Sequence, residues 1–489
     1  MWKNRRTSNS RRKLCIEALE QRMLLAGGNV TAIQNGVGQV SVVGDSGDNS
    51  ITIEPAAGPN GIVIMGQGGT TVNNGAAVTF TGVTRLDILF LDGMDTLFAE
   101  NLLLQSPQAP VSITMGKGND QLTFRTSTVA QLAITIGTEQ PGDVGNITAT
   151  VNNDVITASG MSVRLLNESG VSSKLLNGTM GVSPGSMIQC TINSNQVTGG
   201  INTRIDDGIV LNPAPSTFTP SSSLQMNGNL TTGGEVRDVL GDDFQRVQSD
   251  NNTIGGNLTE LMGNGFVTLE GNGNQIQGGW NFRAGNDFAN NSALMSPSIT
   301  LSGNSVGIGP TGGNVQATFG SNVDATKQFL PFRFNNNHNR GDVKIIAANN
   351  GNIVIDPTDD TGRLDITMGN GGINHIESLT MLGVDSGDPY IIFHSLPGDT
   401  VNINLTDVMV TDPHGVFYMR DFGVGVDHVL LSNLTVAGPV FNIYLSGSGH
   451  NDVTAKNVTA HGGFILNAAI YTSLGGNGGY FVFGHPGPP

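Results

Sequence analysis

The chain has 489 residues, only 13% of them charged, and a formal net charge of −16. Glycine (69 residues) and asparagine together make up about a quarter of it, well above ordinary usage. Both residues suit left-handed turns and weaken helix interiors. With 37% hydrophobic residues still available for a core, the composition excludes a helical fold and plain disorder alike.

Residues 1–27 stand apart from the body. Lys3, Arg5, Arg6, Arg11, Arg12, Lys13 and Arg22 against Glu17 and Glu20 give this head a net charge of +5, leaving −21 for the remainder. An acidic body with its only basic cluster in the head is not expected to bind nucleic acid, which requires grouped Lys and Arg. Leu14, Ala18 and Leu25, with Cys15, Leu19, Met23 and Ala26, fall near helical spacing, and Gly27-Gly28 supplies a stop. A short N-terminal amphipathic helix is predicted. Glu17, Glu20, Gln21 and Arg22 interrupt any secretory apolar run, and no later stretch approaches the roughly 18 apolar residues of a membrane span. No transmembrane segment is expected. Cys15 lies in the head, so Cys190 has no partner in the body, and its apolar setting, SMIQCTI, predicts a small buried side chain.

Within the head, Leu19-Glu20-Gln21-Arg22-Met23-Leu24-Leu25 resembles the LEPR-XLL motif of exported, often repetitive planctomycete proteins, with Gln21 where that family usually has Pro. The resemblance covers only about residues 10–27. It implies that Leu19, Glu20, Arg22, Leu24 and Leu25 form a targeting element and that the chain reaches the cell surface or the exterior.

Residues 28–210 read as a β-rich repeat region. Runs such as SITIEP, GIVIMG, RLDILFLDG, VSITMGKG and QLAITIG are short, rich in Val, Ile and Thr, and bounded by turn formers. DILFLDGMDTLF and SITMGKGNDQLTF align with Asp95 on Asp120 and Leu97 on Leu122, and ITMG returns at Ile366. Residues 211–224, LNPAPSTFTPSSSL, read as a loop or linker, with a soft boundary near 210 or an uninterrupted array across it. Residues 225–480 continue the strand rhythm, broken by a polar loop at 334–341, FNNNHNRG, and residues 481–489 form a tail.

An Asn-[Leu/Ile/Val]-Thr triplet recurs at Asn146, Asn229, Asn257, Asn404, Asn433 and Asn457. Two or three short strands per repeat of about 22–29 residues predict an all-β fold, a parallel β-helix (β-solenoid). In such a stack the asparagines are expected to line up at turns, though the triplets also read as glycosylation acceptors.

Gly- and Asp-rich turns such as MGKGNDQL and FLDGMDTL resemble half of the RTX calcium repeat. That resemblance makes Ca²⁺ the candidate cofactor and Asp92, Asp95, Asn119 and Asp120 its candidate ligands. Because these copies are not in tandem, turns built simply from Gly, Asn and Asp are the first reading, and no cofactor is expected. All eight histidines lie after residue 337 without metal-site spacing. Three adjacent acid pairs, Asp206-Asp207, Asp242-Asp243 with Arg246 and Asp359-Asp360 with Arg363, are the candidates for a polysaccharide lyase or hydrolase. Neighbouring strand residues face opposite ways, so no catalytic residue is assigned. The functional expectation is an exported, non-enzymatic structural, surface or adhesion protein. Its expected partners are cell-envelope or matrix components, polysaccharide among them, and further copies of itself; a calcium-dependent binding protein is the other alternative.

Overall fold

The computed structural model describes residues 27–104, 110–138, 145–167, 188–207, 222–241, 245–263, 267–284, 298–309 and 313–319, and then mainly strands between 332 and 483. Among these residues every regular element is a β-strand, and nearly all pairing is parallel. The N-terminal amphipathic helix expected over the head lies outside the described residues.

Each repeat supplies one strand to a first sheet and one to a second, with a two-residue strand between them. In the first sheet Thr96–Glu100 pairs with Asp120–Arg125, which pairs with Ile147–Asn152, then Ile188–Asn193 and Ser222–Asn227. The second runs from Arg85–Leu89 through Pro110–Met115, Gln131–Ile136 and Met161–Asn167. Both ladders continue rung by rung to Ser473–Gly475 and Phe481–Phe483. The first sheet stays open, and the whole arrangement is compatible with a β-helix. Residues 208–221 lie outside the described residues, and across them Ile188–Asn193 pairs directly with Ser222–Asn227.

Alternation explains why the stack holds. In Gln131–Ile136 (QLAITI), Leu132, Ile134 and Ile136 are buried while their neighbours face outward. Like residues therefore stack in columns: Ile88, Ile113 and Ile134 in one, Leu97 and Leu122 in another. At the N-terminal end the pattern turns antiparallel. Asn29–Gln34 folds against Gln39–Val43, and Ser50–Ala56, Gly61–Gly66 and Ala77–Phe80 form a second antiparallel set. This covers a sheet edge that would otherwise be open to pairing.

The turn between the first-sheet strand and the two-residue strand fixes the chain's composition. Its first residue is left-handed in repeat after repeat: Asn101, Asn153, Asn251, Asn433 and Asn457 have φ between 54° and 57°, and Gly228, Gly273 and Gly303 between 64° and 66°. The next residue points inward and is buried. It is Leu102, Ser127, Asp154, Asn195, Asn229, Asn252, Asn274, Asn304 and Asn337 in successive rungs, and Leu434 and Val458 near the other end. From Asn195 onward each amide bonds the next, with Asn229 Nδ2 donating to Asn252 Oδ1 at 3.0 Å and Asn274 Nδ2 to Asn304 Oδ1 at 3.0 Å.

Three expectations need correction. Spacing along this ladder runs from 22 residues (Asn252 to Asn274) to 41 (Asp154 to Asn195), so the repeat is not confined to 22–29. The additional residues, 168–187 in the longest case, lie outside the described residues, and the register on either side of them is unbroken. Residues 334–341 are not simply a polar loop: Phe334 is buried in a strand and Asn337 is a rung of the ladder. The Asn-x-Thr triplets do not share one column. Asn229 is an inner rung, Asn433 and Asn457 are the exposed left-handed residues one position earlier, and Asn404 lies within strand Thr400–Thr406 beside Leu430.

Candidate functional site

The predicted calcium residues lie on one corner, where the chain passes from the second sheet to the first. There Gly47-Asp48-Asn49, Gly93-Met94-Asp95, Gly118-Asn119-Asp120 and Gly145-Asn146-Ile147 stack. A Cβ on Gly118 would sit 1.7 Å from the Gly93 carbonyl oxygen, so only glycine allows the turns to approach this closely. Asp95 and Asp120 point inward, 0% and 2% exposed. Asp95 Oδ1 accepts from the Asn49 backbone N–H at 2.8 Å, and Asp120 Oδ1 from that of Asp95 at 3.1 Å. Asp92 and Asn119 are on the outer side, where Asp92 Oδ1 accepts from Lys117 N–H at 3.3 Å and Asn119 Oδ1 from Asn146 N–H at 2.7 Å. The four thus share a corner but divide between its inside and its outside, and all four cap backbone donors of adjacent turns. Burial pushes the Asp95 carboxyl up to about 6, against the stabilising bonds from Asn49. Among the described residues, no three His, Cys, Asp or Glu side chains are grouped so as to hold a metal ion.

A second feature lies inside the stack and was missed in the sequence. One inward column of the second sheet reads Ile113, Ile134, Val163, Thr203, Asp238, Glu260, Phe282, Ala317. Three polar rungs interrupt an apolar core, and Thr203, Asp238 and Glu260 are at most 1% exposed. Trp280 Nε1 donates to Glu260 Oε2 at 2.8 Å. Desolvation holds both carboxyls well above the ordinary range, and Glu260 pushes Asp238 further. Two stacked anions are strongly disfavoured in this environment, so the pair carries at most one negative charge at neutral pH. The signal was available in Val236-x-Asp238-x-Leu240 and Leu258-x-Glu260-x-Met262, where period two places each acid on the apolar face. Cys190 is a buried free thiol, as expected, and its pKa is raised by burial and then by Asp238.

Asp154 is the acidic member of the amide ladder. Its Oδ1 accepts from Ser127 N–H at 2.7 Å, and its own N–H donates to Asn195 Oδ1 at 2.9 Å. Each following asparagine donates Nδ2 to a carbonyl of the previous repeat, as Asn195 does to Val151 at 3.0 Å and Asn229 to Ile192 at 2.8 Å. In Asp154 the equivalent atom is Oδ2, which has no bonding partner. Burial pushes this carboxyl up to about 8. The protonated form has an O–H donor and can occupy the rung as an amide does.

The remaining candidates are dispersed. Asp206 and Asp207 end a strand beside Leu166 and Asn167, and Asp359-Asp360 lie on Thr358–Asp360. Asp242, Asp243 and Arg363 are outside the described residues. Arg246 faces outward, 3.7 Å from Glu270. The targeting residues Leu19, Glu20, Arg22, Leu24 and Leu25 also lie outside the described residues, and no described helix is long and apolar enough to cross a membrane.

Searches against protein-family profiles, curated proteins and solved structures return no match to this chain.

Proposed function

We propose that this chain is an exported β-solenoid, a parallel β-helix whose stacked rungs form a rod serving as a structural, surface or adhesive component. The observation that carries this reading is the amide ladder from Asn195 to Asn337. Its side chains are committed to holding one rung on the next. The interior carboxyls are likewise sealed from solvent, so they reach no substrate. What remains available is an extended outer surface, on which weak contacts sum over many rungs. The LEPR-XLL-like head supports export.

Fractionation of the native cells tests the reading, combined with protease treatment of intact cells. The proposal predicts recovery in the envelope or medium and loss of the intact chain on external proteolysis. Retention in the cytoplasm, protected from protease, would overturn it.

A further inference from the structure

Sixteen Lys and Arg residues follow the head, and no stretch of sequence groups them. The parallel register does. On the outer face of the second sheet one column reads Asn202, Arg237, Thr259, Asn281, Gln316 and Lys344. Two residues along each strand, the adjacent column holds Arg204, then Val239 and Leu261, then Arg283. Arg164 precedes Arg204 in that column, and both have other bonding partners. Arg237, Arg283 and Lys344 are exposed and form no ion pair among the described residues. Neither column holds a carboxylate between the Arg164 rung and the Lys344 rung; exposed Glu235 lies in the same strand two residues before Arg237, at a register shift, and Asp365 follows Lys344 on the next rung. The outer face of the first sheet differs, with Asp250, Glu270 and Arg246 intermixed.

The geometry points to this face as a binding surface for a linear anionic polysaccharide lying along the stack. Rungs repeat at about 4.8 Å, so the cations from Arg164 to Lys344 extend over about 29 Å, one every one to two rungs. A polymer with one charge per sugar or two matches that sparse spacing. Duplex DNA, with a charge every ~1.7 Å, presents far more anion than this face neutralises, and the acidic body repels it. Thr259, Asn281, Gln316 and Asn202 supply neutral donors and acceptors between the cations, suited to hydroxyls. The half-buried Val239 and Leu261 give an apolar strip between Arg204 and Arg283 for the faces of sugar rings. Binding here goes beyond the structural role and does not depend on where the chain resides.

The test titrates the purified full-length protein at low salt with polygalacturonate, chondroitin sulfate, neutral dextran and duplex DNA. The inference predicts binding of at least one of the two acidic polysaccharides, with their ranking separating carboxylate from sulfate, and none of dextran. Binding weakens as salt rises. The double variant Arg237→Glu/Arg283→Glu, verified as folded by circular dichroism, loses about tenfold or more in affinity, while Arg246→Glu on the other sheet stays within about twofold. Equal affinity of the double variant, binding of dextran, tighter binding of DNA, or no binding to either polyanion would each overturn the assignment.

Discussion

Asn229 Nδ2 donates to Asn252 Oδ1 at 3.0 Å across 23 residues of sequence, while Asn252 Nδ2 passes the same bond on to Asn274 at 3.0 Å. Asn252 Nδ2 also reaches the Met226 carbonyl at 2.9 Å. Its amide therefore ties three successive repeats together. Asn252→Ala leaves buried donors and acceptors unmade on both sides and is expected to cost about 2–4 kcal/mol. Asn457→Ala, at the exposed bond to Asn433, should cost only about 1 kcal/mol, mostly from placing alanine at a left-handed backbone position. Urea unfolding of the two variants measures the contrast.

Asp154→Asn should stabilise the fold, and increasingly so as pH rises. Folded Asp154 holds its proton up to about 8, whereas the unfolded chain releases it near 3.8. The folded state binds more protons in that window, so wild-type stability falls as pH rises through it and levels off above. The asparagine supplies the missing donor without titrating. Thermal melts should show little difference at pH 4 and a gain of about 1–3 kcal/mol at pH 8.

The stacked pair Asp238 and Glu260 acts in the same direction, since burial raises both. Asp238→Asn/Glu260→Gln removes both titrations and keeps the shape of the core. Denaturation across pH 4–9 should give a visibly flatter stability profile than the wild type. An unchanged slope would mean that the pair ionises freely in the folded state.

Gly118→Ala should be severe, costing about 3 kcal/mol or more, because its Cβ collides with the Gly93 carbonyl. Gly68 also has positive φ, but its Cβ position is open. Gly68→Ala should cost only about 1 kcal/mol. The difference between the two melts isolates the contact between stacked turns from backbone strain.

The strand columns were largely legible, because period two and an offset of 25 residues suffice to align Leu97 with Leu122, and the register bears that out. Ile113 and Ile366, paired in sequence only by a repeated ITMG phrase, do fall in one register column. The ladder was harder to place. Asn at the left-handed position and Asn at the inward position are adjacent, as in Asn251-Asn252, and composition gives both the same look. The spacing then widens to 34 residues between Asn195 and Asn229, beyond a fixed repeat.

The arrangement of charge is hidden for a related reason. Arg204, Arg237 and Arg283 come from three separate repeats, so no window of sequence shows a basic cluster, and only parallel register assembles one. The inward acids are hard to read from sequence because Asp and Glu in a strand ordinarily face solvent. The flanking Val236 and Leu240 place Asp238 inside instead.

Rung-by-rung stacking underlies every feature of this molecule, and spin-label distances test it most directly. Thr123, Thr150, Thr191, Gln225, Gln248, Glu270 and Thr300 follow one another in a single outward column. In a Cys15→Ser background, with Cys190 buried, labels are placed at Thr123 paired in turn with Gln225, Gln248 and Thr300. Backbone separations of about 14, 19 and 29 Å are predicted, a linear rise at ~4.8 Å per rung. Distances that fail to increase in that order would contradict the stacked arrangement.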